Sequence, residues 1–302
     1  MSAPRLFVTG ASGFVGRHVV DALLARGAEV VALTRDESRI EPREGVTVRA
    51  VDLLDLDSIL PAVEDCAGGV HVAGAGPGSS DRALFEGNVL AGRHVAATCR
   101  RKPGLGRLVA ISSAAVLEPG DTEYRRSKIG MEAGIRAVEI DWTMLRPTLV
   151  LGRPEESAEM RGLVERVRGG RIVLPNGGRA RVQPVYVDDV AAAAAVAVIE
   201  GRGVKQALTL AGPEEGIEWR ALLEGVRDRT GGAARFASVP AVALRAAGLV
   251  AGVVGKGGRF SAAAKFHSAD HRTSIAPARE ALGFDPRPIE EAMELSFGRR
   301  DG

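Results

Sequence analysis

Leu6-Phe7-Val8-Thr9-Gly10-Ala11-Ser12-Gly13-Phe14-Val15-Gly16 decides the fold of this chain. A short apolar run ends in three glycines spaced three apart, and a helical pattern follows to about Arg26. Glycines at that spacing let a strand turn tightly into a helix and let the backbone approach a pyrophosphate. The helix N-terminus then supplies oriented N–H groups and positive dipole charge. Working outward, further apolar runs follow at Glu29-Val30-Val31-Ala32-Leu33, Val46-Thr47-Val48, Gly69-Val70-His71-Val72, Leu108-Val109-Ala110-Ile111 and Thr143-Met144-Leu145, with helical patterns between most of them. Strands that are apolar throughout belong to a sheet covered on both faces, so the pattern predicts an α/β fold with a Rossmann-type, doubly wound parallel sheet.

Residues 1–148, joined by 182–207, form the expected dinucleotide-binding domain. Residues 149–181 and 208–302 form a smaller C-terminal lobe that would bind substrate. A last strand is read at Gln183 to Val187, an alanine-rich helix from Asp188, and helices at 216–230, 239–254 and near Ala278 to Phe284. Asp188 and Asp189 read as residues that fix a loop and cap the alanine helix.

The 302 residues carry a net charge of +2 and are 45% hydrophobic, a balance that offers no general attraction to nucleic acid or anionic lipid. Small molecules are the expected partners. Cys66 and Cys99 are too few for a disulfide framework, and no Cys/His spacing suits a metal, so a reducing, cytoplasmic setting is expected. With a strand expected within a few residues of Met1, no secretion signal is expected. Val239 to Gly255, broken by Arg245, falls short of the roughly 20 apolar residues of a membrane span and reads as a packed helix.

Two positions bear on which dinucleotide is held. After the second strand come Thr34 and Arg35, where a cation suits a 2′-phosphate and a carboxylate suits a free ribose hydroxyl. Arg35, with Thr34 donating a hydrogen bond, favours NADP(H) over NAD(H), although Asp36 next in line would present a carboxylate after a shift of register. Asp52 and Leu53 follow the third strand, and Asp52 reads equally as an adenine contact or as the cap of a turn. Further along, Tyr124-Arg125-Arg126-Ser127-Lys128 places a phenol and an ammonium four residues apart on one helix face, where the cation favours the ionised phenol.

Taken in order, these segments together with His71-Val72-Ala73-Gly74, Asn88 to Gly92, Ile111-Ser112-Ser113, Leu145-Arg146-Pro147-Thr148 and Val185 to Val190 resemble the extended and atypical branches of the short-chain dehydrogenase/reductase superfamily. The resemblance implies that Ser113 donates a hydrogen bond to the substrate oxygen, Tyr124 transfers the proton, and Lys128 binds the nicotinamide ribose and lowers the tyrosine's pKa. It implies that Asn88 acts through structure or a water relay, that Val72, Ala73 and Gly74 line the cofactor, and that Pro147 and Thr148 lie near the nicotinamide carboxamide. A homodimer through helices 83–102 and 124–140 is the family's common arrangement.

Only eleven positions separate Ser113 from Tyr124, and Leu117 stands where an aromatic is common. This shortening is similar to the branch containing the 39-kDa-type accessory subunit of respiratory complex I, members of which bind NADPH without turnover. Ser113 argues for catalysis, whereas Ala114-Ala115 lack the acid pair of the related dehydratases. The expectation is therefore hydride transfer at a secondary alcohol or ketone carbon, by a reductase or an epimerase. The alternative is a non-catalytic NADPH-binding structural, assembly or redox-sensing protein. Arg153, Arg161, Arg166, Arg168, Arg171, Arg179 and Arg181 would suit a phosphorylated or nucleotide-linked substrate, with Arg181 the favoured contact, while the apolar 239–254 segment suits an apolar ketone.

Overall fold

The computed structural model describes residues 3–102, 104–243 and 270–298. It divides into two compact units. The first comprises Met1–Thr148, Val187–Leu210 and Ile275–Asp285, the second Leu149–Tyr186, Ala211–Ser274 and Pro286–Gly302.

The first unit is built on β1 (Arg5–Thr9), β2 (Glu29–Thr34), β3 (Val46–Ala50), β4 (Gly68–His71), β5 (Arg107–Ile111), β6 (Asp141–Pro147) and a seventh strand, Gln206–Leu210. Across the sheet they run Gln206–Leu210, β6, β5, β4, β1, β2, β3, every neighbouring pair parallel. The order reverses between β1 and β4, where Thr9 is in register with His71, and in sheets of this kind the carboxyl edge at such a reversal is where ligands bind. The sequence pattern missed the strand Gln206–Leu210. It alternates partly exposed and buried residues after an exposed Gln206 instead of forming an apolar run, and its pairing with β6, not its composition, makes it a strand.

Helix α1 (Phe14–Leu24) buries Gly16, Val19, Val20 and Leu23, one stripe at helical spacing. It packs on the helix Val187–Glu200, whose buried alanines allow a close approach. Asp188 and Asp189 lie in the first turn of that helix, with Asp188 Oδ1 2.5 Å from Nδ1 of His18 on α1. On the other face α2 (Leu56–Ala62) and a long helical segment cover the sheet. That segment comprises α3 (Asp81–Leu84), a π-helical turn (Phe85–Leu90) and α4 (Ala91–Arg101).

Helix α5 (Glu123–Arg136) starts at Thr122, whose side chain accepts from Arg125 N at 3.1 Å, and it carries Glu123 in its first turn and Arg136 in its last. Its buried stripe is Ser127, Lys128, Met131, Glu132 and Ile135. Met131 and Ile135 lock it into the main core with Phe7, Leu108 and Met144, each such side chain contributing about 2 kcal/mol. Two of the five stripe residues are therefore charged groups carried onto the sheet by apolar neighbours. The segment Ala276–Leu282, read from sequence as part of the second lobe, belongs to the first unit, where Ala278 and Leu282 are buried.

In the second unit short ladders pair Val150–Leu151 with Val185–Tyr186, Arg181–Val182 with Ile217–Glu218, and Arg171–Pro175 with Arg235–Val239. The helices Ala158–Arg168 and Trp219–Thr230 pack together. The strand expected at 183–187 thus reduces to Val185–Tyr186, outside the main sheet. Val239 ends a strand, and residues 244–254 of the expected helix lie outside the described residues. Among the described residues no helix is long and apolar enough to cross a membrane.

Candidate active site

Six of the segments singled out in residues 1–148 emerge at the carboxyl edge of the sheet, while Asn88 and the Tyr124–Lys128 pair are carried by helices. Gly10 to Gly16 follow β1, Thr34 and Arg35 follow or end β2, and Asp52 and Leu53 follow β3. Val72 to Gly74 follow β4, Ser112 and Ser113 follow β5, and Pro147 and Thr148 end or follow β6. Parallel topology produces this convergence, because all the strands point the same way.

The β1 turn is locked. Gly10 has φ +66°, a left-handed conformation, and a methyl group there would meet Ala73 Cα at 2.8 Å. A methyl group on Gly16 would lie 2.0 Å from Gly10 O, so the turn and α1 pack backbone to backbone. Gly13 precedes α1 without a side-chain cap, and the first turn holds no acidic residue. Uncapped amides at the positive end of a helix, reached over glycine, form a donor set suited to a dinucleotide pyrophosphate. Ser12 Oγ lies 3.3 Å from Thr34 Oγ1 and ties this turn to the end of β2; Phe14 and Val15 are half-buried in the first turn of α1.

Arg35 is exposed and has no carboxylate partner among the described residues. Asp36 is otherwise engaged: its Oδ1 accepts from Ser38 N at 3.1 Å and Ser38 Oγ at 2.6 Å, bonds that hold its carboxyl below the usual range. Asp52 Oδ1 accepts from Leu54 N at 3.0 Å, the turn-capping geometry, while Leu53 packs on the core.

Beneath the β1 turn lies a buried hub. Thr9 Oγ1 accepts from Val72 N at 3.1 Å and Ala73 N at 3.2 Å, so its own hydrogen points to His71 Nδ1, 2.8 Å away. That bookkeeping makes His71 the Nε2–H tautomer. Burial, then the charge of Lys128, pushes His71 down to about 3, so the ring is neutral; its Nε2–H finds no acceptor among the described residues.

Asn88 sits in the π-helical turn, fully buried. Its Oδ1 accepts from Ala75 N at 3.0 Å, and its Nδ2 donates to Ala75 O at 3.1 Å and to Ser127 Oγ at 2.9 Å. Ser127 Oγ in turn donates to Tyr124 O at 2.8 Å. Asn88 thus clamps the loop after β4 onto α5 by direct bonds, the use of a π-turn that a sequence pattern does not reveal.

Lys128 is 5% exposed and donates to Ile111 O at 3.3 Å. A methyl group on Gly74 would sit 3.4 Å from its Nζ and 2.5 Å from Asn88 Oδ1, which puts the ammonium between the ends of β4 and β5. Burial lowers it to about 8 against the opposing charge of Glu132. Tyr124 is half-buried one helical turn away, and Ser113 Oγ accepts from Ala115 N at 3.2 Å, leaving its own hydrogen to donate. Thr148 N donates to Leu210 O at 3.0 Å, fixing the residue after Pro147.

The model of the NAD dependent epimerase/dehydratase family matches residues 6–208. The chain belongs to that family. A 2-alkyl-3-oxoalkanoate reductase of Stenotrophomonas maltophilia (strain K279a) is 29% identical over 211 residues, 63% of each protein. A chloroplastic divinyl chlorophyllide a 8-vinyl-reductase of Oryza sativa subsp. indica is 27% identical over 267 residues, 82% of this chain and 64% of the relative. The chain spans just under two thirds of the length of these relatives. Among solved structures, the Bordetella bronchiseptica enzyme WbmH in complex with NAD+ superposes with a TM-score of 0.73 at 17% identity, covering 97% of each chain. UDP-glucose 4-epimerase of Thermotoga maritima with UDP-glucose gives 0.72 at 18% identity, also 97% of each. These two likenesses establish the fold.

In this epimerase/dehydratase-family chain the fold joins to the site four groups whose roles no local sequence pattern shows. They are Ser127, Thr9, and the pair Glu132 and Arg146. Glu132 was detectable in principle, four residues beyond Lys128 on the same helix face. Arg181, the expected substrate contact, lies in the second unit with Nε and Nη2 donating to Glu215 O at 2.6 Å and Gly216 O at 2.8 Å, so two of its three nitrogens brace a turn. Arg161 likewise braces Pro154 O and Glu155 O, while Arg166, Arg168 and Arg171 are exposed. Cys66 and Cys99 are buried, their thiols pushed up by burial to about 11 and about 12, and no group of three or more metal-ligating side chains occurs among the described residues.

Proposed function

We propose that the chain is an NADP(H)-linked oxidoreductase acting at a secondary alcohol or ketone carbon, with Ser113, Tyr124 and Lys128 as its catalytic set. The observation that carries this reading is the buried Lys128 ammonium, held at Ile111 O between the ends of β4 and β5, one helical turn from Tyr124. A buried cation there favours the phenolate of Tyr124, so the phenol can give or take a proton near neutrality. Ser113, whose hydroxyl hydrogen is uncommitted by its bond from Ala115 N, polarises the substrate oxygen. Asn88 holds the loop after β4 against Ser127 and keeps Tyr124 and Lys128 in place. The dinucleotide, when bound, supplies or receives the hydride. Gly10 to Gly16 and the start of α1 would hold its pyrophosphate, Asp52 and Leu53 its adenine end, Val72 to Gly74 its middle, and Pro147 and Thr148 its carboxamide. Arg35 would take the 2′-phosphate, a reading supported by the prior commitment of Asp36 to Ser38; the buried Thr34 hydroxyl, expected from the sequence to share that phosphate, donates to Asp36 O at 3.1 Å and shapes the turn that presents Arg35.

Dehydration is disfavoured because Ala114 and Ala115 follow Ser113 where an acid pair would be needed. The relative named as an oxoalkanoate reductase favours an alkyl-chain 3-oxoacid, and the epimerase neighbour keeps nucleotide sugars in the test. The test is calorimetric binding of NADPH, NADP+, NADH and NAD+, followed by an absorbance screen for NADPH oxidation against pooled 3-oxoacids, apolar ketones and nucleotide sugars. NADPH binding with turnover that Tyr124→Phe lowers by about a thousandfold, at unchanged NADPH affinity, is expected. Binding with no turnover would favour the non-catalytic cofactor-holding reading, and an equally active Tyr124→Phe would remove Tyr124 from the mechanism.

A further inference from the structure

Glu132 is a buried carboxylate, 2% exposed, encircled by donors from three elements. Ser112 Oγ, at the end of β5, donates to Oε1 at 2.7 Å. Arg146 of β6 grips both oxygens, Nε to Oε1 at 2.8 Å and Nη2 to Oε2 at 2.6 Å, and Arg136 of α5 reaches Oε2 at 3.0 Å. Ser112 N also donates to Leu145 O at 2.7 Å, so the ends of β5 and β6 are stitched twice. These are the segments that carry Ser113, Tyr124 with Lys128, and Pro147 with Thr148.

We propose that Glu132 is a positioning residue for the Tyr124–Lys128 pair: one carboxylate fixes the ends of β5 and β6 against α5 and supplies the negative charge one helical turn from the Lys128 ammonium. The inference rests on the oxidoreductase reading for its purpose, though not for its test. Charge counting supports it. Lys128, Arg146 and Arg136 bring three cations to one corner, and Glu132 is their shared counter-ion; a buried cation without a counter-charge loses its proton before it loses its place. The other groups around Lys128 do not substitute for it. His71 from β4 is neutral, Asn88 and Ser127 are uncharged, and Tyr124 is the group to be activated. Burial would raise the Glu132 carboxyl, but the hydrogen bonds from Arg146 and Ser112 and the charges of Arg146 and Arg136 outweigh it and hold the group ionised.

The test reads the Lys128 ionisation directly, by NMR titration of the protein carrying 13Cε-labelled lysine, with the resonance assigned by its absence in Lys128→Arg. The wild-type midpoint is expected at about 8. Glu132→Gln, which keeps an acceptor for Ser112 but removes the charge, is expected to lower it by about one unit, and Glu132→Asp to restore most of the shift. Arg146→Gln removes a cation and leaves the carboxylate, so the midpoint should stay or rise. An unmoved midpoint in Glu132→Gln overturns the proposal, as does a fall in Arg146→Gln, which would mark general loosening. Should Glu132→Gln fail to fold, the Arg146→Gln titration decides. None of these readings needs a substrate. In the loaded enzyme the alkaline limb of the pH–rate profile should follow the NMR midpoint, and a limb that does not follow counts against the oxidoreductase reading alone.

Discussion

The two halves of the sheet's carboxyl edge are built on different principles. On the β4–β5–β6 side, His71, Asn88, Lys128 and Glu132 are all at most 5% exposed, and polar bonds run from strand to helix to strand. On the β2–β3 side, Arg35, Asp36 and Asp52 are exposed, and the two aspartates only fasten their own turns. The inner half is determined by packing, because an unmet buried polar group costs about 1–3 kcal/mol and so every member constrains the others. The outer half is determined residue by residue, since solvent satisfies whatever the protein does not. In the proposed enzyme the inner half governs whether proton transfer occurs and the outer half which dinucleotide is held.

The contrast meets its severest test where the halves join. Gly16→Ala should cost about 3 kcal/mol in denaturant unfolding and abolish dinucleotide binding, because the added methyl group falls on Gly10 O. Wild-type stability in that variant would show that the turn and α1 are not locked.

Acid titration separates the halves next. The pKa of His71 falls from 6.5 to about 3 in the fold, so the unfolded chain binds the proton more readily. The stability it contributes is full above 6.5 and is lost as pH falls toward 3. Between about pH 8 and pH 5 the wild type should lose about 2 kcal/mol more than His71→Asn in urea unfolding. Parallel curves for the two proteins would mean that His71 is reached by water and that the inner half is less closed than its burial implies.

Arg35→Ala addresses the outer half: NADPH affinity should fall about tenfold in calorimetry while NADH affinity holds and the melting temperature stays put. A loss of stability would mean that this side too is wired into the fold. The smallest effect is expected for Ser127→Ala, about 1 kcal/mol in unfolding, since Asn88 keeps both its bonds to Ala75. A loss several times larger would make Ser127, rather than Asn88, the centre of the clamp.

Legibility followed the same divide. The glycine turn, the first six strands and the Tyr124–Lys128 spacing were readable because each is a local pattern of residue type and period. The strand Gln206–Leu210 was not, since its identity lies in pairing with β6, and neither was the membership of Ala276–Leu282 in the first unit. The role of Arg146 has no local signal, for its partner Glu132 lies 14 residues away on another element. Arg181 showed the opposite limit: a cation's presence in a sequence does not reveal that backbone carbonyls already hold it.

By itself, then, the sequence determined a parallel α/β sheet, a glycine-lined turn into a helix, and a phenol and an ammonium on one helix face. These follow from steric and periodic rules that act over a few residues. Only the tertiary structure decided that Lys128 is buried, that Glu132 is gripped by Ser112, Arg136 and Arg146, that Asn88 is spent on the loop after β4 and that Asp36 is spent on Ser38. Burial and partnership depend on which distant segments pack together, and the strength of a charge depends on the dielectric that this packing creates.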